Sequence, residues 1–284
     1  MTMQQNLRAT LTAACAAISL AFAAGASACT LFAAAGADIV EGGGTLVAKV
    51  RDWSPVRQSV RLVKPAQGYA YYGLVSGRNE WVNMAVNEKG LYAAISAAGS
   101  VPNKLRQPGA GGRQVDHLIR NAASVREAMV KARDFTGATN IILADRHEVA
   151  FIEVLPGGTV LHKATSHGTL AHTNHYVLPE SEPHNGKIAQ TSLRRYERIR
   201  ELLAASPRPM NLESFEAMIR DRNDGPDNSI WRTGTETSRH RTISASAAQF
   251  MPDGSVRFFI TYRPSGNEDF VTVRTTVRPE DFRK

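Results

Sequence analysis

Hydrophobic positions fall along this chain in short runs, and most of the runs carry the period of strands. Thr30 to Ala34 is a continuous apolar stretch, Glu41-Gly42-Gly43-Gly44 a turn, and Thr45 to Arg51 a second strand with partial alternation. Val60 to Val63, Ala70 to Leu74 and Trp81 to Val86 continue in strand-like pieces, and Asn87-Glu88-Lys89-Gly90 turns the chain back into Leu91 to Ser96. This half predicts antiparallel sheet. A stretch rich in Gly and Pro, Pro102 to Gly112, reads as a loop, after which the period lengthens. A helix is predicted over Val115 to Asn121, and a second opens at Ser124-Val125-Arg126-Glu127, which has capping-box spacing and puts Val125, Met129 and Ala132 on one face.

The pattern then returns to strands. Asn140 to Asp145 and Val149 to Val154 form a hairpin about Arg146-His147-Glu148, and Thr169 to Val177 is a strand ending in a loop. Leu193, Tyr196, Ile199, Leu202 and Leu203 predict a helix over Ser192 to Ala204, and Asn211 caps another reaching Asp221. Two strands, Thr242 to Phe250 and Val256 to Tyr262, close the chain across Pro252-Asp253-Gly254. Two runs of strands separated by helices, without strict βαβ alternation, indicate a layered α+β or sandwich architecture. No repeat, low-complexity tract or dividing linker interrupts it, so residues 29–284 read as one domain.

The first 28 residues follow another rule. A single Arg8 precedes an alanine-rich apolar run from about Leu11 to Ala24, and Ala26-Ser27-Ala28 supplies the small residues a signal peptidase reads. The run is shorter than the roughly 18–20 residues of a membrane span and has no positive stop-transfer cluster. The expectation is a secretory signal peptide cleaved before Cys29, a periplasmic or secreted protein, and no integral membrane segment after processing. Two readings of Cys29 compete with this one. It would be the lipid-bearing cysteine of a lipoprotein, although Ala26 stands where a leucine is usual, or an inert buried cysteine, the ordinary fate of the residue type.

Removing 28 of the 284 residues, one arginine among them, leaves 256 residues at a net charge of +7. Of the two cysteines, Cys15 goes with the leader, so the remaining chain holds one thiol and no internal disulfide. In an oxidising compartment a lone thiol suggests chemistry, while a domain this large also does without a staple. The basic residues are spread out, with no run of five, which argues for a solvated surface and against nucleic acid as a partner. The glycines at 42–44 are followed by neither Lys-Ser/Thr nor a helix, so they make a hairpin turn and not a phosphate loop.

Cleavage before Cys29 would place nucleophile and base on one residue. A thiol attacks best as thiolate, and an α-amine with an intrinsic pKa of about 8 accepts a proton near neutrality. A carboxylate is needed to orient the amine, and donors to receive the developing oxyanion. Asp52, in Lys49-Val50-Arg51-Asp52-Trp53, is the nearest downstream acid at a predicted strand end, and Asn174 in Thr173-Asn174-His175 is a neutral donor at the end of another.

At these residues the sequence resembles the choloylglycine hydrolase family and the related acyl-coenzyme A:6-aminopenicillanate acyltransferases, members of the N-terminal-nucleophile (Ntn) hydrolases. The likeness lies in Cys29-Thr30, Asp52-Trp53, Asn87 to Leu91, Thr173-Asn174-His175, and the Ser-x-x-Arg-Tyr-x-Arg start at Ser192 to Arg198. The resemblance implies a four-layer αββα sandwich of two antiparallel sheets. It implies Cys29 as nucleophile, its amine as base, Asp52 holding the amine, Asn174 in the oxyanion hole and Arg195 as electrostatic support. Bile-salt hydrolases carry Arg where Lys49 stands, and an Asn donor in the strand after Gly-Leu where Ile95-Ser96-Ala97 offers Ser96 or a backbone N–H; Lys49 and Ser96 are therefore supporting candidates.

Each candidate has a plainer reading. Asp52 with Arg51 is a strand-end surface ion pair, Asn174 a turn cap, and Arg194, Arg195 and Arg198 the solvated face of a helix. His172 and His175 have metal-like spacing, but on an extended segment they diverge and no acid or cysteine stands nearby in sequence, so they read as structural. Trp53, Trp81 and Trp231 are core residues before they are pocket walls. The sequence calls for no cofactor and no metal. The function it supports is hydrolysis of a small-molecule linear amide through a thioester acyl-enzyme, with related enzymes often homo-oligomeric. The alternatives are an aminopenicillanate-type acyltransferase, in which an amine replaces water, and a lipid-anchored, non-catalytic envelope binding protein. Bile-acid conjugates, penicillin V, acyl-homoserine lactones and N-acyl amino acids all remain open as substrates, because the Val101 to Arg113 loop carries no decodable signature.

Overall fold

A computed structural model describes residues 28–107, 110–236, 238 and 240–283; the leader through Ser27 lies outside them. Thirteen strands among these residues form two antiparallel sheets. The first has the order β10-β1-β2-β11-β12-β13, built from β1 (Ala28–Ala35), β2 (Thr45–Trp53), β10 (Gly168–His172), β11 (Arg241–Phe250), β12 (Val256–Tyr262) and β13 (Val271–Val277). The second runs in sequence order through β3 (Gln58–Val63), β4 (Tyr71–Ser76), β5 (Trp81–Asn87), β6 (Tyr92–Ala97), β7 (Thr139–Ala144), β8 (Val149–Val154) and β9 (Val160–Thr165).

Helices cover both outer faces. Helices α1 (Ala110–Asn121) and α2 (Val125–Lys131) pack on the second sheet, with Leu118, Ile119 and Val125 against Ala85, Ala93 and Ile141. Helices α3 (Gln190–Ala205) and α4 (Leu212–Ile219) pack on the first, with Ile199, Leu203 and Phe215 against Phe32, Leu46 and Val50. Between the sheets, Leu31, Ala33, Val47, Ile142, Phe151 and Phe258 fill the central core. The layering is αββα, as the family resemblance implied. Strand β1 is buried on both faces, which is why it reads as a continuous apolar run and not as an alternation.

Alternation along the paired strands β1 and β2 decides which way the chemistry points. In register, Cys29 pairs with Arg51, Leu31 with Lys49, and Ala28 with Asp52. Leu31, Ala33 and Val47 face the other sheet, so Cys29, Lys49 and Arg51 share that face. Asp52 and Thr30 lie in the opposite phase, under α3.

Four expectations are corrected. The helix predicted from Val115 begins at Ala110: Gly111 and Gly112 are helical, and a side chain at Gly111 would come within 1.9 Å of Ile95. Glycine is there to let α1 approach β6, not to make a loop. The strand expected over Thr169 to Val177 stops at His172, because residues 173–177 are spent on side-chain hydrogen bonds and not on the ladder. The chain is closed by three strands, since β13 follows β12, and β9 was not foreseen. Both are edge strands with largely exposed or half-buried residues, so they lack an apolar signature. Capping at Ser124 is as predicted on one side, Glu127 N–H donating to Ser124 Oγ, but Glu127 reaches back to the N–H of Ala123.

Candidate active site

Cys29 lies at the start of β1, buried at 5 % exposure, on the floor of a cavity of about 590 Å3. The cavity opens at the end of the space between the sheets. Trp53, Val56, Trp81, Ile95 and the first turn of α1 supply apolar wall, and Asn103, Arg106 and Gln107 from the preceding segment border it. The cavity is thus lined in part by the 101–113 segment, and of the three tryptophans two face it, while Trp231 packs against Phe270 in the helix-side core.

The backbone N–H of Cys29 donates to Asn174 Oδ1 at 2.7 Å. Asn174 is held for this task from several sides. Its Nδ2 donates to Ser96 Oγ at 3.0 Å and to the carbonyl of Ala97 at 2.9 Å, and its backbone N–H donates to Ser192 Oγ. Ser96 Oγ in turn donates to the Thr173 carbonyl at 2.7 Å. Two donors, Cys29 N–H and Arg195 Nη2 at 3.0 Å, converge on Oδ1, which fixes the orientation of the amide. The NH2 group to which the resemblance gives an oxyanion role is engaged by Ser96 and Ala97, and the oxygen faces the backbone N–H of Cys29. Ser96 acts here through Asn174.

Arg195 is wholly buried, so the solvated-face reading of this helix does not extend to it. It projects from α3 on the same side as Ser192, Ile199 and Leu203. Its Nη1 donates to the carbonyl of Cys29 and, at 3.0 Å, to Thr30 Oγ1. Burial lowers its pKa to about 10, with Asp52 and Cys29 acting in the other direction. The guanidinium clamps Cys29 and Thr30 of β1 to α3.

Asp52 is also fully buried, which replaces the surface ion pair with Arg51: the two side chains leave β2 on opposite faces, and Arg51 Nη1 donates to Gln58 Oε1 at 2.9 Å. Asp52 Oδ1 accepts from Thr242 Oγ1 at 2.7 Å, Arg232 Nη1 stands 4.0 Å from Oδ2, and among the described residues Oδ2 has no hydrogen-bond partner. Burial raises the carboxyl to about pKa 6 against the pull of Arg195, Arg232 and Thr242. An unpartnered buried carboxylate oxygen is costly unless something occupies it. It lies in register with Ala28, one residue from the nitrogen of Cys29.

On the cavity side, Lys49 donates to the Asn83 carbonyl at 2.8 Å and is 2 % exposed. Burial brings its pKa down to about 7, Cys29 opposing and Arg51 adding to the shift. His172, expected to lack an acidic partner, has one: Glu153 Oε1 lies 2.8 Å from its Nε2, both side chains fully buried. The Thr173 carbonyl takes its Nδ1 at 3.0 Å. Ser181 and the backbone N–H of Val177 also donate to Glu153. This pairing, 19 residues apart, was missed because Glu153 reads only as the end of a strand. It anchors the 172–177 segment that carries Asn174. Among the described residues no cluster of His, Cys, Asp or Glu could hold a metal ion, and no helix is long and apolar enough to cross a membrane.

Comparison with known proteins follows the same lines. The family described as acyl-coenzyme A:6-aminopenicillanic acid acyl-transferase matches residues 39–258. No curated protein sequence matches. Among solved structures, the chain is similar to a Caenorhabditis elegans ortholog of N-acylethanolamine-hydrolyzing acid amidase, at 13 % identity and a TM-score of 0.54, over 79 % of this chain and 94 % of that one. A mutant conjugated bile acid hydrolase from Clostridium perfringens gives 13 % identity and a TM-score of 0.47 over 87 % and 92 % of the two chains. At such identities the likeness is one of fold.

Proposed function

Because this chain belongs to the acyl-coenzyme A:6-aminopenicillanic acid acyl-transferase family, we propose that it is an amidohydrolase of small linear acyl amides in which Cys29, freed by removal of residues 1–28, is the nucleophile. The observation that carries this reading is the position of the Cys29 nitrogen, 2.7 Å from Asn174 Oδ1, on the floor of the cavity that its own side chain lines. Freed from Ala28, that nitrogen is an amine able to take the thiol proton. Asn174 Oδ1 holds it from one side. Asp52 Oδ2, which has no hydrogen-bond partner among the described residues, is the acceptor that an α-ammonium would occupy from the other. Arg195 fixes the strand, and Arg51, the cross-strand neighbour of Cys29, puts a lasting positive charge beside the developing oxyanion.

The acyl group enters the apolar cavity, sulfur attacks the carbonyl carbon, the amine leaves, and water resolves the thioester. Transfer of the acyl group to an amine is the second reading, favoured by the family's description. A cleaved leader also implies export, to the periplasm or beyond. The test is an acyl-amide panel followed by mass spectrometry, with a Cys29→Ala control. Acyl mass on the wild-type chain, absent from the control along with turnover, is expected; turnover retained by the control would remove the proposal. Added amine acceptors separate hydrolysis from transfer through the product formed.

A further inference from the structure

Away from the cavity, half-buried and buried arginines meet acids: Arg198 stands 2.8 Å from Asp221, and Arg232 stands 3.3 Å from Asp227. The cavity is arranged differently. Three cations line it, Lys49, Arg51 and Arg106, and among the described lining residues there is no Asp or Glu. Lys49 donates to the neutral carbonyl of Asn83. Arg51 lies against the Trp53 ring, and its Nη1 donates to the neutral Oε1 of Gln58 at 2.9 Å. Gln58 is locked in that role, because its Nε2 donates to the carbonyls of Ile243 at 3.1 Å and Arg263 at 3.0 Å. A neutral acceptor fixes a guanidinium without cancelling its charge. In the processed chain the thiolate and α-ammonium of Cys29 offset one another, and Asp52 lies on the other face of the first sheet.

Arg106 has less still. It stands four residues before α1, in the wall that α1 and the second sheet supply, and no described residue gives its side chain a hydrogen bond or an acid. Its Nε is buried and unpartnered. Burial alone lowers its pKa, the mark of a charge without a counter-ion. Such a cation is costly unless a ligand brings the missing partner. Lys49 and Arg51 serve the first-sheet side, where Cys29 reacts; Arg106 comes from the opposite wall and has no part in that chemistry.

Resting on the amidohydrolase reading, in which the acyl group fills the cavity, we propose that the substrate is the half-amide of a dicarboxylic acid, whose free carboxylate Arg106 receives at the far end of the acyl chain. The planar guanidinium offers a carboxylate two parallel N–H donors. Trp53, Val56, Trp81 and Ile95 supply the apolar wall for the methylenes between that carboxylate and the reacting carbonyl. The same cations repel a positively charged acyl chain and leave a neutral one without an ion pair.

The experiment uses monoanilides of the dicarboxylic acids from glutaric to sebacic, each matched with a neutral counterpart in which an acetyl group replaces the carboxylate. For each pair kcat/KM is measured with the wild type and with Arg106→Gln. The expected result is a wild-type preference for the carboxylate of at least about tenfold at the best chain length, carried mainly by KM, and a ratio near one in Arg106→Gln. A lesion of the fold lowers both members of a pair alike, so the ratio separates recognition from structure. A wild-type ratio near one, or a tenfold ratio retained by Arg106→Gln, would overturn the proposal. So would a carboxylate preference seen only when the charge sits on the departing amine, read from hexanoylglycine against hexanoylglycinamide. If the variant does not fold, the wild-type ratios alone decide in the same sense. If no anilide leaves an acyl group on Cys29, the amidohydrolase reading itself fails, an outcome distinct from turnover without preference.

Discussion

Replacing Lys49 by methionine should make the protein more stable. The ammonium is fully buried, and holding it down from 10.5 to about 7 corresponds to about 5 kcal/mol of unfavourable burial at neutral pH and below. Methionine fills similar volume without the charge, but the Asn83 carbonyl then loses its donor, at a cost of about 1–3 kcal/mol. The net gain is about 2–4 kcal/mol, or roughly 4–16 °C in Tm for a domain of this size. The pH dependence has a definite sign. Between about 7 and 10.5 the unfolded chain binds the lysine proton and the folded one does not, so wild-type stability rises with pH through that window. The advantage of Lys49→Met is therefore full at pH 7 and shrinks toward pH 10.5. Differential scanning calorimetry across this range measures it. A variant melting below wild type at pH 7, or an advantage that does not change with pH, would refute the reasoning.

Two further substitutions probe Asp52 beneath α3 and the Glu153–His172 pair that joins the two sheets. Asp52→Asn should lower kcat by about 100-fold and remove an acid limb that wild type shows at or below about pH 6, where the buried carboxyl takes up a proton; a pH–rate profile with the limb intact would exclude Asp52 as its source. Glu153→Gln disrupts the wholly buried hydrogen-bonded pair with His172 and should cost about 1–3 kcal/mol at pH 7 by denaturant unfolding. Burial pushes Glu153 up, but His172, Ser181 and Val177 outweigh it and hold the carboxyl below its ordinary 4.5, so the wild-type advantage is full above that pH and disappears as the pH falls through the depressed value.

The strands that position the site were legible because they are apolar. β1, β2, β5, β6, β7, β8, β11 and β12 appeared in the sequence within a few residues of their observed bounds, whereas β9 and β13 are edges whose polar, partly exposed residues leave no period to find. The site was legible in residue type more than in contact. Cys29, Asp52 and Asn174 were named from chemistry and from the family resemblance, but what surrounds them comes from distant chain: Thr242 meets Asp52 across 190 residues and Arg195 meets Cys29 across 166. Arg195 shows why periodicity misleads there. Helical spacing alone does not separate a buried cation from its neighbours Arg194 and Arg198, and it is the carbonyl of Cys29, Oδ1 of Asn174 and the hydroxyls of Thr30 and Thr191 that make burial tolerable. The sequence put forward Lys49 and passed over Arg51; that the two share the Cys29 face follows from the β1–β2 register.

The most direct test of the central claim is the intact mass of the chain exported from its own leader, followed by brief exposure to an activated acyl ester. The account predicts a polypeptide beginning at Cys29 that gains one acyl group on that residue. A chain that starts elsewhere, or that carries a diacylglycerol on Cys29, would contradict it.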